Sequence, residues 1–176
     1  MRAAAVGLAL LLACAAAQPA AATLTLRVYF NNAQQAGTAD DCAIVFARTR
    51  SVPSTPAVAS AALRQLFAGP TAAERAGSDR SPFSAATAGL LKRVFIEHGT
   101  AYVDLHDLRA QLPGVTSSCG AAEFGTAIER TLRQFPTVRR VLLAIDGDPR
   151  RYAEWMGQDC DLRNDHCDAA PFAAAR

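Results

Sequence analysis

Three groupings of residues in this chain have the types and spacing that chemistry asks for. Cys119 follows Ser117 and Ser118 at what reads as a helix start, and His98 and His106 lie upstream of it. A thiolate nucleophile held by an imidazole base would draw on such residues. Asp104, His106 and Asp107 are metal-ligand types, but on a strand Asp104 and His106 share one face while Asp107 points away. The acidic run from Asp159 to Asp168 invites a calcium reading. Counted from Asp159 as an EF-hand loop, the fifth, sixth and twelfth places hold Arg163, Asn164 and Ala170, where a ligand, a glycine and a glutamate belong. No Gly-x-Ser-x-Gly elbow occurs. The expectation is therefore no catalytic residue, no metal and no cofactor. A Cys-His or metal-dependent envelope hydrolase stands as the alternative.

The cysteines sharpen that choice. Five are present, and Cys14 falls in a segment with the layout of an export signal: Arg2, an apolar run from Ala3 to Ala13, then small residues. Two cleavage readings stand side by side. Leu11-Leu12-Ala13-Cys14 has the form of a lipobox that would lipidate Cys14, and Ala20-Ala21-Ala22 has the form of a signal-peptidase site. The apolar run is too short to span a bilayer, so any membrane contact is expected only through that N-terminal lipid. Either cleavage puts the protein in the periplasm or outside the cell. In an oxidising compartment the remaining Cys42, Cys119, Cys160 and Cys167 read as two disulfides. Proximity pairs Cys160 with Cys167 and leaves Cys42 for Cys119. On a chain-entropy model the long loop contributes about 4.5 kcal/mol and the short one about 2.5 kcal/mol.

The elements that must position these groups centre on Lys92 to Asp107. His98-Gly99 reads as a two-residue hairpin turn. That turn places Glu97 opposite Thr100, Phe95 opposite Tyr102 and Arg93 opposite Asp104, the last as an exposed cross-strand ion pair. Alternation points Val94, Ile96, Ala101, Val103 and Leu105 to a core, and Arg93, Phe95, Tyr102, Asp104 and His106 away from it. Upstream, Leu24 to Phe30 and Ala43 to Arg50 are expected strands. A helix follows, with Thr55 as its cap, Pro56 at its first position and Gly69-Pro70 as its stop; Ala59, Ala62, Leu63, Leu66 and Phe67 form its buried stripe. Thr71 to Ala88 reads as a long connection with a helical turn over Ala72 to Arg75. A second helix is expected from Gly120 to Phe135, burying Ala121, Phe124, Ile128, Leu132 and Phe135 and pairing Glu129 with Arg133. Val138 to Ile145 is a final strand, and Pro149 opens a short helix carrying Tyr152, Trp155 and Met156.

This order predicts an α+β, two-layer sandwich: a mostly antiparallel sheet with two main helices on one face. The expected divisions are a signal over residues 1–22, one domain over 23–157 and a disulfide-closed tail over 158–176. The sheet's other face collects Arg27, Tyr29, Phe95, Tyr102 and Arg140, with Leu142 at its margin, an aromatic and arginine surface of the kind that anchors protein interfaces. The competing expectation is that the protein's own loops or the Trp155 helix cover it. The formal charge is +2, and without Arg2 there are 17 basic against 16 acidic groups, which argues against nucleic acid as the partner.

Several strings fall in a familiar order: Val-Tyr-Phe at 28–30, Arg-Ser-Val-Pro at 50–53, Ala-Ala-Leu at 61–63, Leu-Phe-Ala-Gly-Pro-Thr at 66–71, Gly-Thr-Ala-Tyr-Val-Asp-Leu at 99–105, Ser-Ser-Cys-Gly at 117–120, Thr-Leu-Arg-Gln-Phe-Pro-Thr-Val at 131–138 and Ile-Asp-Gly at 145–147. Together they resemble the GerMN domain family of sporulation and spore germination, over residues 25 to 156 and in a single copy. The resemblance implies an exported, often lipid-anchored envelope domain with a βαββαβ core. It also implies a scaffold or binding role toward an envelope protein or cell-wall component, without catalytic residues to carry over. The segment from Gln158 onward lies outside the pattern.

Overall fold

The protein is described by a computed structural model covering residues 22–37, 41–160 and 165–174. The signal-like segment through residue 21, Cys14 included, and Arg163 and Asn164 of the EF-hand comparison lie outside the described residues.

The chain runs β1 (Thr23–Asn32), α1 (Ala33–Ala36), β2 (Phe46–Pro53), α2 (Val58–Phe67), α3 (Ala72–Ala76), β3 (Asp79–Arg80), β4 (Leu91–Glu97), β5 (Thr100–Leu105), α4 (Ser118–Leu132), β6 (Arg140–Ile145), α5 (Pro149–Trp155) and α6 (Ala170–Ala174). The α+β class is as the sequence predicts, and with the short α3 and β3 set aside the elements from β2 to β6 follow the βαββαβ succession that the resemblance implies. The strands form two three-stranded sheets, ordered β2-β1-β3 and β4-β5-β6. Every pairing is antiparallel except β5 with β6. Helices α2 and α4 join the sheets: α2 packs on β1 and β4, and α4 on β1 and β6. One core results, with Val28 and Phe30 of β1, Leu63, Leu66 and Phe67 of α2, Ala101, Val103 and Leu105 of β5, and Phe124, Ile128 and Leu132 of α4 all buried.

Helix α2 buries the five residues its spacing picks out. Its start differs from expectation. Ala57 is the N-cap, and Thr55 instead accepts a hydrogen bond from the Ala57 N–H at 3.1 Å, so the Pro56 corner precedes the helix. Strand β2 begins three residues later than the alternation suggests and runs into Pro53, which an edge strand tolerates. Helix α4 starts two residues early because Ser117 caps it, accepting from the Gly120 N–H at 3.1 Å. It stops at Leu132, leaving Phe135 half-buried beyond its end. The connection after α2 holds more structure than its composition suggests. Thr71 and Glu74 form a capping box on α3, and Glu74 also takes the Arg50 guanidinium at 2.7 Å.

The hairpin has the predicted register, Glu97 with Thr100, Phe95 with Tyr102 and Arg93 with Asp104. His98 and Gly99 both hold positive φ, 48° and 85°, as a tight hairpin turn of matching twist requires. Two of the inward assignments need correction. Val94 is half-buried against the core, and Ile96 is 36% exposed. Both lie on β4, an edge strand of its sheet, and Ile96 sits at the turn end of that strand, beside Glu97.

Candidate partner face and its cover

The outer side of the β4-β5-β6 sheet carries Phe95, Tyr102 and Arg140. Phe95 and Tyr102 are directly cross-strand and stack at 4.9 Å with an interplanar angle of 14°, both half-buried. Arg93 lies over the Phe95 ring at 5.5 Å. Leu142 is buried on the same side.

Arg27 and Tyr29 do not join them. They lie on β1, which pairs with β2 and β3 and with no strand of the other sheet, so the five-residue face is two separate surfaces. Alternation tells which side of a strand a residue occupies, but not which sheet the strand enters. At the β1 surface the Gln134 side chain takes the place of a neighbouring strand. Its Oε1 accepts from the Arg27 N–H at 2.9 Å and its Nε2 donates to the Arg27 carbonyl at 2.7 Å. Arg130 stands over the Tyr29 ring at 5.7 Å.

The hairpin's outer side is partly covered, though not by the Trp155 helix. Trp155 lies edge-on to Phe124 at 5.8 Å, on the core side. The cover is α6. Phe172 is 2% exposed and meets Tyr102 edge-on at 5.6 Å, in a small cluster with Leu142 and Ala144. Arg93 donates to the Phe172 carbonyl and Arg140 pairs with Asp165. That pairing raises Arg140 and lowers Asp165 from their ordinary pKa values, each chiefly through the hydrogen bond between them. The expected tail over 158–176 thus carries a helix of its own. Its signal in the sequence is Asp168 followed by Pro171: Asp168 accepts from the Ala170 N–H at 2.9 Å and Pro171 suits a first helical turn.

The candidate chemistry is dispersed. Cys119 is bonded to Cys42, with Cα atoms 5.1 Å apart, which ties the segment before β2 to the first turn of α4 and leaves Cys119 no thiolate. Cys160 is bonded to Cys167, Cα atoms 5.5 Å apart. Among the described residues, Cys160, His166 and Cys167 are the His, Cys and acidic side chains whose ligand atoms converge, within 4.8 Å, and there the two sulfurs hold each other. His98 is exposed at the turn. His106 faces Asp146 at 3.9 Å. Asp107 turns to Arg109, whose side-chain hydrogen bonds hold its carboxyl down at about 2. Asp104 pairs with Arg93 at 3.8 Å as the hairpin register predicts, but the pair is not an exposed one: Asp104 is 3% exposed, and its Oδ1 also accepts from the Gly147 N–H at 2.7 Å. The β6–α5 turn, to which Gly147 belongs, is not a strand neighbour of Asp104 in sequence, so hairpin register alone points to Arg93.

Comparison with known proteins agrees with the strings read from the sequence. No curated protein matches the chain. Two solved structures are similar to it: the tandem GerMN domains of the sporulation protein GerM from Bacillus subtilis, at 22% identity over 72% of this chain and a TM-score of 0.47, and the first GerMN domain of the same protein, at 21% identity over 70% of this chain and a TM-score of 0.47. The chain spans 40% of the tandem structure's length and 84% of the single domain's. The family model named Germane, described as sporulation and spore germination, matches residues 27–151. That span takes in both sheets and helices α2 and α4, and the chain belongs to the Germane family.

Proposed function

We propose that the protein is a non-catalytic, exported cell-envelope domain that docks an envelope protein or cell-wall component through the outer side of its hairpin sheet. The observation that carries this reading is the Phe95–Tyr102 stack with Arg93 over it, a half-buried aromatic and arginine surface on a rigid strand pair. Such groups supply large contact area at small entropic cost, which is why they dominate interface energetics. Membership of a sporulation and germination family is consistent with an assembly role. On this reading residues 1–22 direct export, Cys14 is a lipid anchor if the lipobox is used, residues 23–157 are the domain, and 158–176 form its closing tail. Nucleic acid is not a partner on charge grounds.

The test is capture of envelope partners by immobilised mature protein, wild type against Phe95→Ala with Tyr102→Ala. Loss of the captured species from a variant that melts cooperatively supports the reading. A variant with unchanged stability that still captures every wild-type partner removes this face from consideration. Intact mass of the purified mature protein reads out the cleavage site and any lipid at Cys14 in the same preparation.

A further inference from the structure

The outer side of the hairpin sheet ends in a charged hollow that shares only Arg93 with the docking surface. A cavity of about 510 Å³ opens between the first residues of β4, the turn after β6 and α6, and is lined by Lys92, Arg93, Asp104, Asp146, Gly147 and Phe172. Its floor is the buried Asp104. The carboxylate gives Oδ1 to the Gly147 N–H at 2.7 Å, while Oδ2 faces Lys92 Nζ at 3.9 Å and Arg93 at 3.8 Å, both beyond hydrogen-bond reach. Asp146 takes Lys92 Nζ at 3.1 Å and stands 3.7 Å from Arg151 and 3.9 Å from His106. Of these five ion pairs only Lys92–Asp146 is a hydrogen bond. Within the hollow itself Lys92, Arg93, Asp104 and Asp146 bring polar atoms of both signs to its lining.

From this geometry we propose that the hollow binds a small zwitterion of the amino-acid class, carrying an ammonium and a carboxylate. The ammonium is received by Asp104 Oδ2 and Asp146, and the carboxylate by Lys92 and Arg93. A simple cation in the same place meets two basic side chains, and a simple anion meets two carboxylates, so neither gains what a ligand with both charges gains. Phe172 supplies the apolar wall. Arg93 also donates to the Phe172 carbonyl, so α6 holds one of the groups that would grip the ligand. The volume falls in the range of small-molecule sites. Free amino acids and short peptides share the required chemistry, and the test separates them. This inference goes beyond the docking reading and does not depend on it.

The experiment follows backbone amide resonances of the isotope-labelled mature chain during titration with glycine, with alanyl-alanine, and with acetate and methylammonium as half-ligands. The expected result is saturable movement of Arg93, Gly147 and Phe172 with one of the two zwitterions, which names the source, and none that saturates with either half-ligand. Lys92→Met, at a partly exposed position that leaves Asp104 its Gly147 contact, should weaken binding by about tenfold or more while the melting temperature holds. Asp104→Asn should abolish binding. The proposal is overturned if neither zwitterion gives saturable shifts, if acetate or methylammonium saturates the same resonances as well as glycine does, or if Lys92→Met binds like the wild type.

Discussion

The two sides of the β4-β5-β6 sheet are covered by different means. On the inner side Ala101, Val103 and Leu105 are fully buried under α2 and α4, within a core that also takes Val28 and Phe30 from the other sheet. On the outer side a five-residue helix lays one aromatic ring, Phe172, against Tyr102, Leu142 and Ala144. The inner cover lies inside the family span of residues 27–151, and the outer cover follows it. The contrast teaches that the inner layer is what makes the chain fold, whereas the outer layer is an addition to a sheet that is already held. Contiguous apolar packing resists unfolding as one unit, while an element docked through a single apolar side chain opens at lower cost.

The largest expected effect comes from the inner layer. Phe124 is fully buried, 5.2 Å from Phe83 and 5.8 Å from Trp155 by ring centroid. Phe124→Ala should lower the unfolding free energy by about 3–5 kcal/mol, read by urea denaturation at constant m-value. A smaller loss comes from the outer layer. Phe172→Ala removes an equally buried ring, but α6 gives way locally, so the loss should be about 2 kcal/mol, close to the transfer value of the side chain alone. Hydrogen exchange should then quicken over residues 165–174 and stay unchanged in β5. The contrast breaks if Phe172→Ala costs as much as Phe124→Ala and exchange quickens in both regions, because α6 would then belong to the same cooperative unit as the core.

These two layers were unequally legible in the sequence, for physical reasons. Local rules located the inner layer. The 3.6-residue stripe of α2 names Ala59, Ala62, Leu63, Leu66 and Phe67 without error, and His98-Gly99 fixes the register of the hairpin. Proximity pairs Cys160 with Cys167, and the other two cysteines follow. What the sequence hides is non-local. The assignment of β1 to a different sheet from β5 separates Arg27 and Tyr29 from Phe95, and no strand pattern encodes that choice. Asp104 reads as a surface partner of Arg93 because its decisive contact, the Gly147 N–H, comes from 43 residues away. The outer cover rests on one aromatic in an alanine-rich terminus, too short a helix for periodicity to register.

The smallest effect tests a flaw in the inner cover. On α4, one Glu123 oxygen is buried with no hydrogen-bond partner. Burial raises this carboxyl above its ordinary 4.5, and Arg80 offsets only part of that rise. A raised pKa means that the folded protein holds the proton more tightly than the unfolded chain does. The resulting stability is therefore present in full below the unfolded value and is lost as pH climbs through the folded one. At neutral pH the ionised carboxylate works against folding. Glu123→Gln keeps the shape and removes the charge. It should raise Tm at pH 7, by no more than about 2 °C given the partial exposure of the group, and the gain should vanish as pH falls below the ordinary 4.5. If the variant instead melts lower at neutral pH and recovers in acid, the Arg80 attraction outweighs burial. The inner layer would then be held at this point by an ion pair, as the outer layer is at Arg140 and Asp165, and the two covers would differ less than their apolar contacts suggest.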